Sequence, residues 1–104
     1  MSKIYQGSTA INKLRLPFTT QSLEKFKIMY KQNGNIVLTK RNGEVGVTAA
    51  DDLVTVALTQ EETFYFDSEV EVEVQVRVKT LDGDVATSEP IVTTVGECFD
   101  REVL

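Results

Sequence analysis

Residues 69–79 have the sequence EVEVEVQVRVK, and the alternation in this segment is the strongest indication of how the chain folds. Valine occupies every second position from Val70 to Val78, and every residue between two valines is polar. An extended chain with this period places all the valines on one face, which is the pattern of a half-buried β-strand. An uncovered face of β-branched side chains would be an aggregation hazard. The pattern therefore predicts a sheet with a second layer packed on this valine strand.

Six shorter segments with strand-like patterns precede the valine strand. They lie at residues 3–6, 11–18, 24–31, 36–40, 45–48 and 53–58. A helix is the rival interpretation for the third segment, but its apolar residues recur at every second position from Phe26 to Tyr30 and include aromatic and β-branched types, which favours a strand. Asn33-Gly34 comes next and predicts a hairpin, because both central residues of a type I′ turn need positive φ.

The residues after position 58 predict one short helical turn and another hairpin. Thr59 and Glu62 have the spacing of a capping box, in which each side chain binds the other residue's backbone amide. Asp82-Gly83 is a hairpin signal after the valine strand. Residues 85–95 are expected to return antiparallel, with Pro90 at a bulge or an exposed edge because proline cannot donate to a ladder.

These elements together predict an all-β domain. Seven to eight short strands, regularly spaced turns and no amphipathic segment of helical length fit no other class. An immunoglobulin-like antiparallel β-sandwich is favoured over a closed barrel, because about a hundred residues is the usual size of such a sandwich. We expect residues 1–104 to form a single domain that ends in a short tail at about 97–104.

Charge and composition limit the classes of partner. The chain has 11 basic and 16 acidic residues, for a formal net charge of −5. Nucleic acid is therefore not an expected partner, since phosphate binding needs a basic surface. The amino-terminal residues have no apolar run of signal-peptide length, and no segment approaches the roughly 20 apolar residues that cross a bilayer. We expect no membrane partner and synthesis in the cytoplasm without a signal peptide.

The residue types for catalysis or metal binding are sparse. The chain has no histidine, which is the commonest general base and metal ligand. Glu69, Glu71 and Glu73 recur along one strand face about 6.5–7 Å apart, so they form a ladder and not the converging cage that calcium requires. Cys98 is the only cysteine, which excludes an internal disulfide and leaves a buried or idle thiol. We predict no catalytic residue, no metal site and no cofactor.

The glutamates of the valine strand also suggest its neighbour in the sheet. The outward residues of segment 24–31 include Lys25, Lys27 and Lys31. If that segment lies antiparallel beside the valine strand, cross-strand pairs of opposite charge would help to fix the register. We therefore predict that the two strands are adjacent and that the lysines face the glutamates.

Aromatic residues supply the candidate interface. Phe64, Tyr65 and Phe66 are consecutive, and three consecutive side chains on an extended chain cannot all face one core. Two interpretations stay open, one in which they fill the core and cover the sandwich edge, and one in which they anchor a partner. Phe99 in the tail is the fourth candidate interface residue.

The chain resembles a family of small β-sandwich proteins encoded by phages and prophages of Gram-positive bacteria. The resemblance rests on VALTQEET at 56–63, VEVQVRVKTLDGDVATSE at 72–89 and IVTTVGE at 91–97. The family's best-described members form the amino-terminal domain of siphophage upper baseplate proteins. The resemblance implies a non-enzymatic structural or assembly protein of a tail or baseplate, bacterial and associated with virions, that contacts other phage structural proteins or copies of itself. Known relatives carry an attachment region after the sandwich, so a stand-alone component is expected here.

A ligand-binding or carbohydrate-binding sandwich is the alternative function. Such modules present an exposed platform of aromatic side chains. Tyr5, Tyr30 and Tyr65 are the candidates for a platform of this kind, provided that they are exposed and clustered.

Overall fold

Ten β-strands make up most of the regular structure of residues 3–104, which are the residues that the computed structural model describes. The strands are β1 (Ile4–Tyr5), β2 (Ala10–Arg15), β3 (Leu23–Gln32), β4 (Asn35–Arg41), β5 (Val47–Ala50), β6 (Leu53–Leu58), β7 (Val72–Thr80), β8 (Val85–Thr87), β9 (Ile91–Thr93) and β10 (Val95–Gly96). A single helical turn, α1 (Gln60–Thr63), follows β6, and a 3₁₀ turn spans Thr20–Ser22. The two hairpin turns at Asn33-Gly34 and Asp82-Gly83 form as predicted.

The strands form two antiparallel sheets and one short parallel pair. The larger sheet has the order β4-β3-β7-β8, and β9 pairs with the first half of β7. The smaller sheet has the order β2-β6-β5, and β1 lies parallel to β10. Side chains from both sheets build one hydrophobic core. The predicted all-β, immunoglobulin-like sandwich is confirmed.

The core is centred on the covered valine face and on Tyr30. The valines of β7 from Val72 to Val78 are buried, as are Val54 and Val56 of the smaller sheet. The Tyr30 ring lies 5.7 Å from the Phe66 ring, centroid to centroid, at a tilted angle. The Tyr30 hydroxyl donates a 2.8 Å hydrogen bond to Asn12 Oδ1 on β2, so a satisfied polar contact joins the two sheets inside the core.

The valine strand begins later than its alternation predicts. β7 starts at Val72, and Val70 is only half-buried. Glu69 has a φ of 61°, and its amide donates a 2.9 Å bond to the Val95 carbonyl. The Val70 carbonyl accepts a 3.2 Å bond from the Gln32 amide group. These contacts turn the backbone out of the ladder, so the predicted strand start at residue 69 is wrong.

The prediction of a single return strand at 85–95 is also wrong, because this segment is divided into β8, β9 and β10. Ser88 causes the first break. Its hydroxyl accepts a 3.0 Å bond from the Val76 amide. The hydroxyl thus takes the place of the backbone carbonyl that would accept this bond in a regular ladder. Pro90 lies exposed in the gap, where no amide is needed. β10 lies outside the larger sheet and pairs with β1.

The predicted adjacency of segment 24–31 and the valine strand is confirmed, but most of the predicted charge pairing is wrong. In the β3–β7 register only Lys31 lies opposite a glutamate, Glu73. Lys25 lies opposite Lys79, and Lys27 lies opposite Arg77. Antiparallel geometry brings the start of β3 to the end of β7, where the basic residues are.

Substitution by threonine should cost more stability at a buried valine of β7 than at Val70, which precedes the strand. Val76→Thr places a hydroxyl in the core, and we expect it to lower the free energy of unfolding by about 1–3 kcal/mol. The matched change Val70→Thr lies at a half-buried turn, and we expect it to cost less than about 0.5 kcal/mol. Urea denaturation followed by circular dichroism measures both. Equal losses for the two variants would contradict the strand start at Val72.

Candidate functional site

The four predicted interface residues have different environments. Phe66 is buried against Tyr30, so the structure removes it from the interface candidates and assigns it to the core. Phe64 is half-buried, whereas Tyr65 is 58% exposed and Phe99 is 99% exposed. Of the aromatic group, Tyr65 and Phe99 are therefore the residues whose side chains are exposed to solvent.

Phe64 covers the edge of the sandwich. The Arg101 guanidinium lies over its ring, 4.6 Å from the centroid, and Arg101 Nη2 donates a 3.4 Å bond to the Phe64 carbonyl. A Cβ at Gly7 would lie 2.7 Å from the Phe64 ring, and Gly7 has a φ of 75°. Glycine at position 7 is therefore required both by the ring and by the backbone.

The helical turn before Tyr65 is fixed at both ends. The predicted capping box is present: the Glu62 amide donates a 3.1 Å bond to Thr59 Oγ1, and the Thr59 amide donates a 3.0 Å bond to Glu62 Oε1. The buried Thr63 hydroxyl donates a 2.9 Å bond to the Ser8 carbonyl. These contacts hold the turn on the loop after β1, and they set the direction in which Tyr65 leaves it.

Glu62 also forms an ion pair with Lys40 of β4. Both side chains are largely buried, the Glu62 side chain at 16% exposure and the Lys40 side chain at 10%. Burial alone would raise the pKa of Glu62, but the hydrogen bonds from Lys40 and Thr59 and the charge of Lys40 outweigh it and lower that pKa. The pKa of Tyr30 is raised, first by burial and then by the negative charge of Glu62.

The tail is held to the same turn by one glutamine side chain. Gln60 Nε2 donates a 3.0 Å bond to the Leu104 carbonyl, and the Leu104 amide donates a 2.9 Å bond to Gln60 Oε1. The side-chain amide thus pairs with the backbone as a neighbouring strand would. This contact brings Val103 beside the turn.

An exposed apolar groove results from these contacts. We call it the tail-side groove. Its main apolar lining residues are Ile11, Val45, Ala57, Tyr65 and Val103. Ile11 lies opposite Ala57 in the β2–β6 register, on the outer face of the smaller sheet. Ile11 is 63% exposed and Val45 is 96% exposed.

The exposure of Ile11 and Val45 is not among the predictions from the sequence. One signal for Ile11 was present, because it is an apolar residue out of phase with Leu14 and Leu16, which point inward. An apolar residue on the polar face of a strand favours a contact surface. Val45 carried no such signal, since its place depends on the loop before β5.

The predicted tyrosine platform does not form as proposed. Tyr30 is buried with its hydroxyl bonded to Asn12. Tyr5 is exposed, and the Lys3 ammonium lies 5.6 Å from its ring centroid. Gly96 lies so close to the Tyr5 ring that a side chain at position 96 would collide with it. Tyr5 and Tyr65 are the two tyrosines that remain exposed.

The acidic residues and the cysteine form no cluster of metal ligands. Within residues 3–104, no group of three or more histidine, cysteine, aspartate or glutamate side chains could hold a metal ion. Cys98 is half-buried, and its amide donates a 3.3 Å bond to Gln6 Oε1. In the same described part of the chain, no helix is long and apolar enough to span a membrane.

Comparison with known proteins gives a likeness of fold. No family model matches the sequence, and no curated protein matches it. The structure is similar to CopC from Methylosinus trichosporium OB3b, with a TM-score of 0.59 and 16% identity over 96% of this chain and 89% of that chain. A V domain of amphioxus IgVJ-C2 aligns with a TM-score of 0.38 and 13% identity, over 91% of this chain and 99% of that chain. At this identity, the likeness to CopC shows the sandwich fold alone.

The lowered pKa of Glu62 predicts a specific loss of stability in acid. A carboxylate whose pKa is lower in the folded state stabilises the fold above its unfolded pKa of about 4.3, and this contribution disappears as the pH falls through the folded value. Glu62→Gln keeps an acceptor for the Thr59 amide but removes the ion pair. We expect it to lower the free energy of unfolding by about 1–3 kcal/mol at pH 7 and to flatten its dependence on pH below about 4.3.

Urea denaturation at several pH values between 3 and 7 measures this effect. Glu61→Gln is the matched control, because Glu61 is an exposed carboxylate in the same turn. We expect Glu61→Gln to follow the wild type at every pH. An unchanged pH profile for Glu62→Gln would contradict the stabilising role of the ion pair.

Proposed function

We propose that this chain is a non-enzymatic structural or assembly protein of a phage or prophage, a component of the tail or baseplate that acts through protein-protein contacts. The sequence resemblance in residues 56–63, 72–89 and 91–97 supports the phage assignment. The observation that carries the contact role is the tail-side groove, an apolar surface that water covers in the isolated chain.

The tail-side groove is suited to a partner because its walls are already ordered. The capping box fixes the turn before Tyr65, and Gln60 fixes Val103 through the Leu104 backbone. A partner that binds an ordered surface loses less conformational entropy than one that must order a flexible loop. Covering apolar side chains contributes about 25 cal/mol per Å² of buried surface. A modest contact of this kind is sufficient in an assembly that repeats it many times.

The two ionisable groups with shifted pKa values favour a non-enzymatic role. Tyr30 is buried and donates to Asn12, and Glu62 caps a helical turn and pairs with Lys40. Both shifts have a structural cause, and although Glu62 lines the tail-side groove, its carboxylate is already bonded to Lys40 and to the Thr59 amide. A carbohydrate-binding role would depend on Tyr5 and Tyr65 alone, since Tyr30 lies in the core.

Particle fractionation tests the proposed function. Bacteria that carry the gene are induced to release particles, and the amount of the chain in purified tails is measured by immunoblotting. We expect the wild type to sediment with tails. Tyr65→Ser removes an exposed aromatic from the groove, and we expect at least a tenfold lower amount in tails, because tyrosine anchors of interfaces typically contribute 2 kcal/mol or more.

Leu81→Ser is the matched control for this experiment. Leu81 is an exposed apolar residue in the turn between β7 and β8, and it does not line the groove. We expect this variant to enter tails like the wild type. A wild-type chain found only outside particles would overturn the phage role, and equal amounts of Tyr65→Ser and wild type would overturn the role of the groove.

A further inference from the structure

Five cations lie together on the outer face of the larger sheet, at the end where β7 finishes. Lys27 on β3 lies opposite Arg77 on β7 and Arg41 on β4, so these three residues form one row across the sheet. Lys25 lies opposite Lys79 in the adjacent row. The five side chains line one open depression of about 550 Å³, which we call the basic depression. No aspartate or glutamate of residues 3–104 is among its lining residues.

Four of these five positive charges have no acidic partner in the described chain. The Lys79 ammonium lies 3.4 Å from a Glu24 carboxylate oxygen. Within residues 3–104 the other four cations form no ion pair. Like charges directly opposite each other on adjacent strands destabilise a sheet. The cluster therefore costs stability in the isolated chain, and a bound anion would offset that cost.

Asn42 adds an uncharged donor to the basic depression, which it also lines. Its Oδ1 accepts a 3.0 Å bond from the Phe26 amide, and its own backbone amide donates a 3.1 Å bond to the Phe26 carbonyl. These two bonds hold Asn42 against β3, and its Nδ2 has no hydrogen-bond partner within residues 3–104. The side-chain amide therefore has two free N–H groups, which an anion accepts, in a residue whose position is fixed.

The density of positive charge favours one class of anion. The row from Arg41 to Arg77 spans two strand spacings, or about 10 Å. An extended acidic peptide has its same-face carboxylates about 6.8 Å apart, so it places only two negative charges over this row. A phosphate group carries up to about two negative charges near neutral pH, and three linked phosphates carry about four over a comparable length. The four free cations therefore match a short chain of phosphates.

The two arginines add selectivity for phosphate geometry. Arg41 and Arg77 lie at the ends of the row, and Lys27 lies between them. A guanidinium donates two parallel N–H bonds to two oxygens of one phosphate, whereas a lysine ammonium acts as a point charge. The row therefore has one guanidinium for each outer phosphate of a short chain and one ammonium for the phosphate between them.

The net charge of the chain limits the length of the anion. The whole chain has a formal charge of −5, so the basic depression is a local reversal of charge. Charges more than about 10 Å apart are largely screened at 0.1 M salt, so an anion confined to the depression interacts mainly with its cations. A long polyanion such as a nucleic acid would also extend over acidic surface, which repels it.

We propose that the basic depression binds a short chain of linked phosphate groups, a chemistry that free oligophosphates and nucleoside triphosphates share. Arg41 and Arg77 bind the outer phosphates, and Lys27 binds the phosphate between them. Lys25 and Asn42 bind oxygens at the rim. The depression shares no lining residue with the tail-side groove, so the inference goes beyond the proposed function and does not depend on it.

Isothermal titration calorimetry with sodium tripolyphosphate, in 50 mM and in 500 mM NaCl without magnesium, tests the proposal. We expect one binding site per chain and a dissociation constant that rises at least tenfold at the higher salt concentration, because exposed charges are screened. ATP is titrated in parallel. Tighter binding of ATP identifies a nucleotide as the source of the phosphates, and equal or weaker binding identifies a free oligophosphate. A wild-type chain that binds neither overturns the proposal.

Three other anions test the selectivity for linked phosphates. Sulfate, a hexaglutamate peptide and a short single-stranded DNA are titrated under the same conditions. We expect each to bind at least tenfold more weakly than tripolyphosphate, because none of them places as much negative charge within the row. Binding of the peptide or the DNA that equals that of tripolyphosphate would identify an acidic protein or a nucleic acid as the occupant. Either result, or equal binding of sulfate, overturns the proposal.

Substitutions by glutamine locate the site. Arg77→Gln and Lys27→Gln each remove one cation of the row, and we expect each to weaken tripolyphosphate binding at least tenfold, because hydrogen bonds to charged groups are among the stronger ones. Arg77→Lys keeps the charge but removes the two parallel N–H groups, and we expect it to lose less affinity than Arg77→Gln. Unchanged binding in both glutamine variants overturns the assignment to the basic depression.

Lys13→Gln is the matched control. It also removes one lysine charge, but from an exposed position on β2 of the other sheet, and we expect it to bind tripolyphosphate like the wild type. A loss of affinity equal to that of Lys27→Gln would show a response to net charge alone and would overturn the site.

Thermal unfolding without ligand checks the cost of the cationic row. Lys27→Gln relieves the repulsion from Arg41 and Arg77, so we expect it to unfold at a temperature no lower than the wild type does. A lower unfolding temperature, measured by circular dichroism, would show that the cationic row stabilises the isolated chain. That result would overturn the argument for a bound anion.

Discussion

The antiparallel pairing of β3 with β7 determines how both the core and the outer surface of the larger sheet are built. It is the longest strand pair in the described chain, and it aligns Phe26, Ile28 and Tyr30 with the buried valines on one side of the larger sheet. That alignment places the Tyr30 hydroxyl where Asn12 of the smaller sheet accepts its hydrogen bond. The same register sends the charged side chains to the outer face. The apolar core and the charged outer face of the larger sheet thus both result from one antiparallel register.

Glutamine side chains fix the irregular parts around this framework. Gln32 donates to the Asp67 carbonyl at 2.9 Å and accepts from the Asp67 amide at 2.8 Å. Gln6 donates to the Phe66 carbonyl at 2.7 Å and accepts from the Cys98 amide. Gln60 binds both backbone groups of Leu104. Each side-chain amide takes the place of a neighbouring strand, so backbone groups outside the sheets are also satisfied.

The alternation of valine with polar residues predicts the fold because a period of two is a local property of the chain. The start of β7 is not local, since it depends on the Val95 carbonyl and on Gln32. The break after β8 depends on a Ser88 hydroxyl that replaces a ladder acceptor. The tail-side groove likewise could not be predicted, because its shape comes from contacts between residues far apart in sequence. Among the consecutive aromatics, composition could not tell that Phe66 is the one that faces the core.

The parallel pairing of β1 with β10 has a mechanical consequence. The Ile4 amide donates to the Thr94 carbonyl at 3.0 Å, and the Gln6 amide donates to the Gly96 carbonyl at 3.0 Å. A pull that draws the chain outward before β1 and after β10 acts along both strands in opposite directions. Such a force loads these hydrogen bonds in shear, and they must break together instead of opening one after another. The smallest strand pair of the sandwich is thus oriented to resist tension along the chain.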